Sequence, residues 1–276
     1  MTRGRPPQRS QRGRRPGPKV ARDVERDFRS TKGRDDLGGD QVEGRRAVLE
    51  LLRAGRRRAR SVMVSADATD DVVLAEIAEL AGSALRIVPS ERVVATARTD
   101  THQGVVARAE PLTPVDLDAL LDQDNAFIVA LDGVTDPRNL GAVLRVAETA
   151  GVTGVILPRH RSARITPTVA KAAAGAIEYL PMALVSGIPA ALSSASRAGV
   201  WSVGLDERGD QSVFSLSVAD QPIVVVFGAE GQGLARLTRD RCEVVAHIPM
   251  HGMLASLNVS TAAAIACHEI ARGRAR

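Results

Sequence analysis

FIVALDGVTDPRNLGAVLRVAETAGVTGVIL, residues 127–157, sets the pattern of this chain. An apolar run at 127–132 reads as a strand, and a polar loop with Pro137 follows it. Residues 139–150 have the spacing of an amphipathic helix, and 153–157 is apolar again. The alternation continues downstream. Candidate strands lie at 178–182, 200–204, 223–228 and 244–248, with helical patterns at 167–176, 188–198, 233–240 and 257–272. Apolar strands alternating with helices predict an α/β fold whose parallel sheet is covered on both faces. Ligands of such sheets bind beyond the carboxyl ends of the strands.

A smaller α/β unit precedes it. Order is expected to begin near Gln41, with Val42, Val48, Leu49, Leu51 and Leu52 along an amphipathic helix that also carries Arg45, Arg46 and Arg53 and ends at Gly55. Arg56, Arg57, Arg58 and Arg60 follow. Residues 61–65, 85–88 and 104–110 read as strands, and 70–81 and 90–97 as helices, with Val73, Ile77 and Leu80 at helical spacing. Residues 111–125 read as a linker with a short helix. The expected division is a tail over 1–38, a unit over 39–110, the linker, and a second unit over 126–276.

The 276 residues are 44% apolar but only 2% aromatic, so the core must be built from Val, Leu, Ile and Ala. No apolar run approaches the roughly 18 residues of a membrane span, and the basic N-terminus lacks the apolar stretch of a secretory signal. Cys242 and Cys267 lack metal-ligand spacing, and the five histidines form no cluster, so neither a disulfide framework nor a metal site is expected. The thiols read as the reduced cysteines of a cytoplasmic protein. Residues 1–34 hold twelve Lys/Arg against three Asp/Glu, whereas the remainder holds 25 against 29. The tail is therefore expected to be disordered. It reads either as a solubility tail or as an arm that contacts nucleic-acid phosphates.

Three polar loops follow candidate strands. In DGVTDPRNLGAVLRVAE, Asn139 alone reads as a helix cap and Arg145 as a surface arginine. In FGAEGQGL, Gly228, Gly231 and Gly233 leave the backbone bare, and Glu230 has no apolar role. In IPMHGMLASLNVSTAAAIACHE, residues 248–269, Ser256 and Asn258 stand where loop becomes helix, a common capping position. Together the loops offer donors, acceptors and one cation, without a conventional His or Cys catalyst. A Walker A loop and a dinucleotide fingerprint are both absent from the sequence.

These three motifs, in this order and spacing, resemble those of the SpoU (TrmH-type) RNA ribose 2′-O-methyltransferases of the SPOUT superfamily, over residues 126–276. VEGRRAVLELL and THQGVVARAEP further resemble the substrate-binding domain of the 23S rRNA guanosine-2′-O-methyltransferase (RlmB-like) branch, which is similar to ribosomal protein L30e. The resemblance implies a parallel-sheet SPOUT domain with a deep trefoil knot, an L30e-like N-terminal domain and a homodimer formed across the knot. It implies S-adenosylmethionine bound near Gly228, Ile248, Met250 and Leu257. The family's catalytic positions would fall on Asn139, Arg145, Glu230, Ser256 and Asn258. Arg45, Arg46, Arg56, Arg57 and Arg58 are candidate RNA phosphate contacts, with a solvated basic face as the alternative. A guanosine of 23S rRNA is the substrate that the resemblance favours. A tRNA, a resistance-conferring rRNA site, and a non-catalytic RNA-binding or assembly role remain open.

Overall fold

A computed structural model of the chain describes Met1 and residues 36–68, 71–160, 163–254 and 256–275. The tail reading therefore lies almost wholly outside the described residues. Two sheets organise the rest.

The first sheet has four strands in the order β1-β4-β2-β3: β1 (Gln41–Glu43), β2 (Ala59–Ser65), β3 (Leu85–Val88) and β4 (Val105–Ala109). β4 is antiparallel to β1 and β2, and β2 is parallel to β3. The helices α1 (Arg45–Ala54), α2 (Val72–Ala81) and α3 (Ser90–Thr96) pack on it. Val42 lies in β1 and not on the helix expected from its spacing. Three residues are too few to show a strand period, and Gly44 turns the chain before α1 begins. Gly55 ends α1 in the left-handed conformation.

After α4 (Leu117–Leu121) comes the seven-stranded sheet. Its strands are β5 (Phe127–Asp132), β6 (Gly154–Pro158), β7 (Met182–Val185), β8 (Trp201–Leu205), β9 (Gln211–Ser212), β10 (Ile223–Gly228) and β11 (Val244–His247). The order is β7-β6-β5-β10-β8-β11-β9, and every pair is parallel. All seven carboxyl ends therefore emerge on one edge. The helices are α5 (Pro137–Thr149), α6 (Pro167–Ala172), α7 (Ile188–Arg197), α8 (Arg236–Arg239) and α9 (Val259–Arg274).

Alternation along the strands fills two cores. Phe127, Val129 and Leu131 of β5 join a cluster with residues of α5, α6 and α9, whereas Ile128 and Ala130 join one with Ile188, Leu192 and Leu120. Two more sequence expectations shift. The strand placed at 178–182 is a 3-10 turn (Ala176–Glu178) followed by β7, because Glu178 is drawn into an ion pair. The helix placed at 233–240 shrinks to α8, because Gly233 (φ 67) bridges back to Ala229. The short strand β9 was not anticipated.

The end of α9 is latched. Arg274 donates to the carbonyls of Gln221 (2.6 Å) and Asn125 (2.7 Å), with a longer contact to Ala219, and its guanidinium lies 5.5 Å from the Phe127 ring centre. Among the described residues, no helix is long and apolar enough to cross a membrane.

Arg274→Ala should release the last turn of α9. The expected loss is about 2 kcal/mol from hydrogen bonds and ring contact, or roughly 4–8 °C in Tm by circular dichroism. Burial pushes both thiols up to about 12: Cys267 by burial alone, and Cys242 with Asp132 and Glu243 adding to it. Both should therefore stay unreacted with iodoacetamide at pH 8 in the native protein and label once urea unfolds it, as read by mass spectrometry.

Candidate active site

The carboxyl ends of β5, β10, β8 and β11 are neighbours in the sheet, so the loops that follow them share one edge. After β5, the chain turns into α5 through Asp136, whose carboxylate accepts from the amides of Arg138 and Asn139. Asp136 is thus the cap of α5, and the capping role open to Asn139 falls away. The Asn139 side chain is released from its own helix. Its Nδ2 donates to Glu230 Oε2 at 2.8 Å, and its Oδ1 accepts from Asn258 Nδ2 at 3.0 Å. A carboxylate can only accept, so Glu230 fixes which end of the amide faces it.

Asn258 serves two purposes. Its Oδ1 caps α9 by accepting from the Ser260 amide (2.9 Å) and hydroxyl (2.6 Å), which leaves Nδ2 for Asn139. The hydrogen-bonded chain Asn258–Asn139–Glu230 thereby joins three loops that are far apart in sequence.

Beside this chain lies a recess of about 220 Å³, walled by residues 205–208 after β8, 227–233 around the end of β10, and residues between Ile248 and Ala262. Gly228, Glu230, Ile248, Met250, Ser256 and Leu257 all line it. The glycine at 228 is required by the loop itself, because a Cβ there would lie 2.1 Å from the Gly233 carbonyl carbon. Ala229 and Gly233 exchange two backbone hydrogen bonds across that loop.

The sequence reading missed the β8 loop, LDERG, although it follows an apolar strand as the other three polar loops do. It brings Asp206 and Glu207 to the recess. Burial works to raise the Asp206 carboxyl, but the Arg208 amide and guanidinium outweigh it and hold the group below the usual carboxylate range. Three carboxylates (Asp206, paired with Arg208, Glu207 and Glu230), bare main chain and the apolar side chains of Ile248, Leu257 and Val259 suit a ligand that combines positive charge with a flat polar ring.

A larger cleft of about 970 Å³ adjoins the recess, with Asn139 and Glu230 on its wall. Arg145 does not join the Asn139 chain. Six residues further along α5, it is exposed.

The arginines of the first unit separate. Arg46 is 65% exposed and pairs with Glu50 at 3.4 Å, and Arg58 faces solvent. Arg56 is exposed but donates to the Tyr179 carbonyl (2.7 Å), and Arg45 is paired with Asp71. Arg57 turns inward and corrects the reading of it as a phosphate contact. Its side chain is 6% exposed, with Nε and Nη2 on the Glu178 carboxylate and Nη1 on the Gly39 and Glu110 carbonyls.

Comparison with known proteins places the chain in a family. The SpoU rRNA Methylase family model matches residues 126–268, and the model for RNA 2′-O ribose methyltransferase substrate binding matches residues 41–115. A 23S rRNA (guanosine-2′-O-)-methyltransferase of Ralstonia nicotianae is 41% identical over 238 residues, covering 84% of this chain and 94% of its own. The protein of the same name from Photobacterium profundum is 36% identical, covering 86% and 99%. The crystal structure of the SpoU methyltransferase AviRb from Streptomyces viridochromogenes, in complex with the cofactor AdoMet, superimposes with a TM-score of 0.73 at 26% identity, over 85% of this chain and 90% of that one. The chain belongs to the SpoU rRNA methylase family.

Proposed function

We propose that this protein transfers a methyl group from S-adenosylmethionine to the ribose 2′-hydroxyl of a guanosine in 23S rRNA, in the cytoplasm. The observation that carries the reading is the Asn258–Asn139–Glu230 chain, in which Asn139 lines the open cleft and Glu230 lines both cleft and recess. The family match and relatives that carry this activity in their names support it.

The recess fits the cofactor. Asp206 and Glu207 suit its cationic groups, the main chain of 228–233 offers donors and acceptors, and Ile248, Leu257 and Val259 supply apolar surface, with Met250 and Ser256 at the rim. When bound, the cofactor supplies an electrophilic methyl group on a sulfonium. The side chains around it position the hydroxyl that attacks. Arg145 holds the phosphate next to the target ribose: a guanidinium is a cation across the neutral range and binds phosphate oxygens in a fork. The hydroxyl proton leaves towards that phosphate or solvent as the new bond forms. Asn139 sets the wall against which the ribose rests, while Glu230 and Asn258 keep its amide in one orientation. The rate gain comes mainly from this placement.

The second unit is read as knotted and dimeric. Strand β10 enters between β5 and β8, and α9 then returns against α5. Arg145 is exposed on α5, where a second copy could complete the substrate site. In the first unit, Arg45, paired with Asp71, Arg46, paired with Glu50, and the exposed Arg56 and Arg58 are the basic groups that meet RNA. Affinity should fall steeply with salt.

Arg145→Ala should lower single-turnover methylation of a 23S rRNA fragment by about 10²–10³-fold, the scale of one lost transition-state contact. Cofactor affinity by calorimetry should stay within about twofold, because Arg145 does not line the recess. Methylation near the wild-type rate would remove Arg145 from the mechanism. Asn139→Asp should be as harmful as Asn139→Ala, because a carboxylate cannot donate to Glu230 and repels it. Activity retained in Asn139→Asp but lost in Asn139→Ala would mean that the donor is dispensable.

A further inference from the structure

We infer that the buried Arg57–Glu178 pair sets where the first unit stands against the methyl-transfer site, and thereby which ribose reaches it. This rests on the RNA methyltransferase reading above. The segment 111–125 ties the two units in sequence and bonds to the second through Val115 and Met182, and Gly39 bonds to Ile165; the buried charged contact lies apart from these backbone bridges. Arg57 follows α1 in the first unit. Glu178 ends the 3-10 turn after α6 in the second, and its side chain is only 1% exposed. All three guanidinium nitrogens of Arg57 are engaged, two on Glu178 and one on the Gly39 and Glu110 carbonyls.

Further contacts surround this pair. Tyr179 Oη donates to Glu50 Oε2 (2.8 Å), Arg56 donates to the Tyr179 carbonyl, and Lys171 reaches the Thr101 carbonyl. At Gly175 (φ 98) the units touch so closely that a Cβ would lie 2.3 Å from the Glu50 Cβ. Charged groups buried this deeply hold one arrangement strongly, because any other leaves a charge without its partner.

From the pair to the candidate site is one layer of helix. Glu178 follows α6, and α6 packs on α5. A Cβ on Gly141 would meet the Ala172 Cβ at 2.5 Å and the Val169 carbonyl oxygen at 2.7 Å. Asn139 lies two residues before Gly141. The docking surface of the first unit and the helix bearing Asn139 and Arg145 are thus in near-contact. Structured RNA is recognised largely by shape. An RNA gripped by the first unit can then present only the nucleotide at a fixed distance from its grip. Arg57 and Glu178 act as positioning residues in this scheme and touch no substrate.

The test uses the full chain with Glu178→Gln, which breaks the bidentate pairing, and Tyr179→Phe, which removes one interface bond and keeps the ion pair. With Glu178→Gln, kcat/KM on a 23S rRNA fragment should fall at least about tenfold, and primer-extension mapping should show methylation spreading to neighbouring riboses. Cofactor affinity should stay within about twofold, and so should activity on a short hairpin that carries only the target nucleotide. Tyr179→Phe should give the same pattern at about threefold, so the inference stays testable if Glu178→Gln folds poorly. Equal losses on fragment and hairpin, or unchanged site choice in both variants, would overturn it. Amide hydrogen exchange over residues 45–58 without RNA should rise in both variants. Such a rise would support the docking role even if the wild-type protein methylated no rRNA, a result that would sink the activity reading instead.

Discussion

A primary amide can donate from one end and accept at the other, and the candidate site depends on Asn139 using both. Glu230 on the β10 loop can only accept, and the free half of the Asn258 amide can only donate, because its oxygen is committed to α9. The amide meets both neighbours from separate atoms, whereas a hydroxyl would have to donate and accept through one oxygen. The β10 loop, with glycines at 228, 231 and 233, has little of its own to hold it. A bond from Glu230 to α5 fixes its outer end, and the Ala229–Gly233 bridge fixes its base. With the loop fixed, Glu230 has a set place on the wall shared by the recess and the adjoining cleft.

That arrangement is available only because the sheet is parallel throughout. Parallel order sends every loop of one kind to the same edge, and the β5-β10-β8-β11 sequence of neighbours sets four of them side by side. The chain first builds outward from β5 to β6 and β7, then crosses to the other side, so the order reverses beside β5. A crevice at such a reversal is where ligands of open α/β sheets bind. Burial on both faces makes the central strands nearly all apolar. With few aromatics, Phe127 and Phe227 are the large anchors among Val, Ile, Leu and Ala.

The same burial decides which parts of the structure were legible from the sequence. FIVALD and IVVVFG were placed to the residue because central parallel strands are continuous apolar runs bounded by polar loops. Gln41–Glu43 and Gln211–Ser212 were missed or misassigned because two or three residues show no period. The stretch 178–182 is apolar enough to be a strand, yet Glu178 is held by a partner 121 residues away. The candidate site divides in the same way. Its loops could be found locally, as apolar strands that end in polar residues, and LDERG carried that signal unnoticed. Which side chains meet could not be read from spacing, because the Asn139 bonds span 91 and 119 residues.

Arg57 shows the limit most sharply. Within GRRRAR nothing local distinguishes it from Arg56 or Arg58, and composition favours a solvated basic face for all three. The difference lies in what surrounds the charge after folding. Removing a guanidinium from water costs several kcal/mol unless nearly every N–H finds an acceptor. Here a carboxylate and two carbonyls, from three separate segments, meet that demand. A lysine could match the charge but not the planar fork that takes both Glu178 oxygens while still reaching two carbonyls. A contact this demanding is a poor source of net stability, since an apolar pair of similar size would serve as well. Its value lies in selectivity between arrangements: a shifted docking would leave two buried charges unmatched, whereas apolar surfaces would slide with little loss.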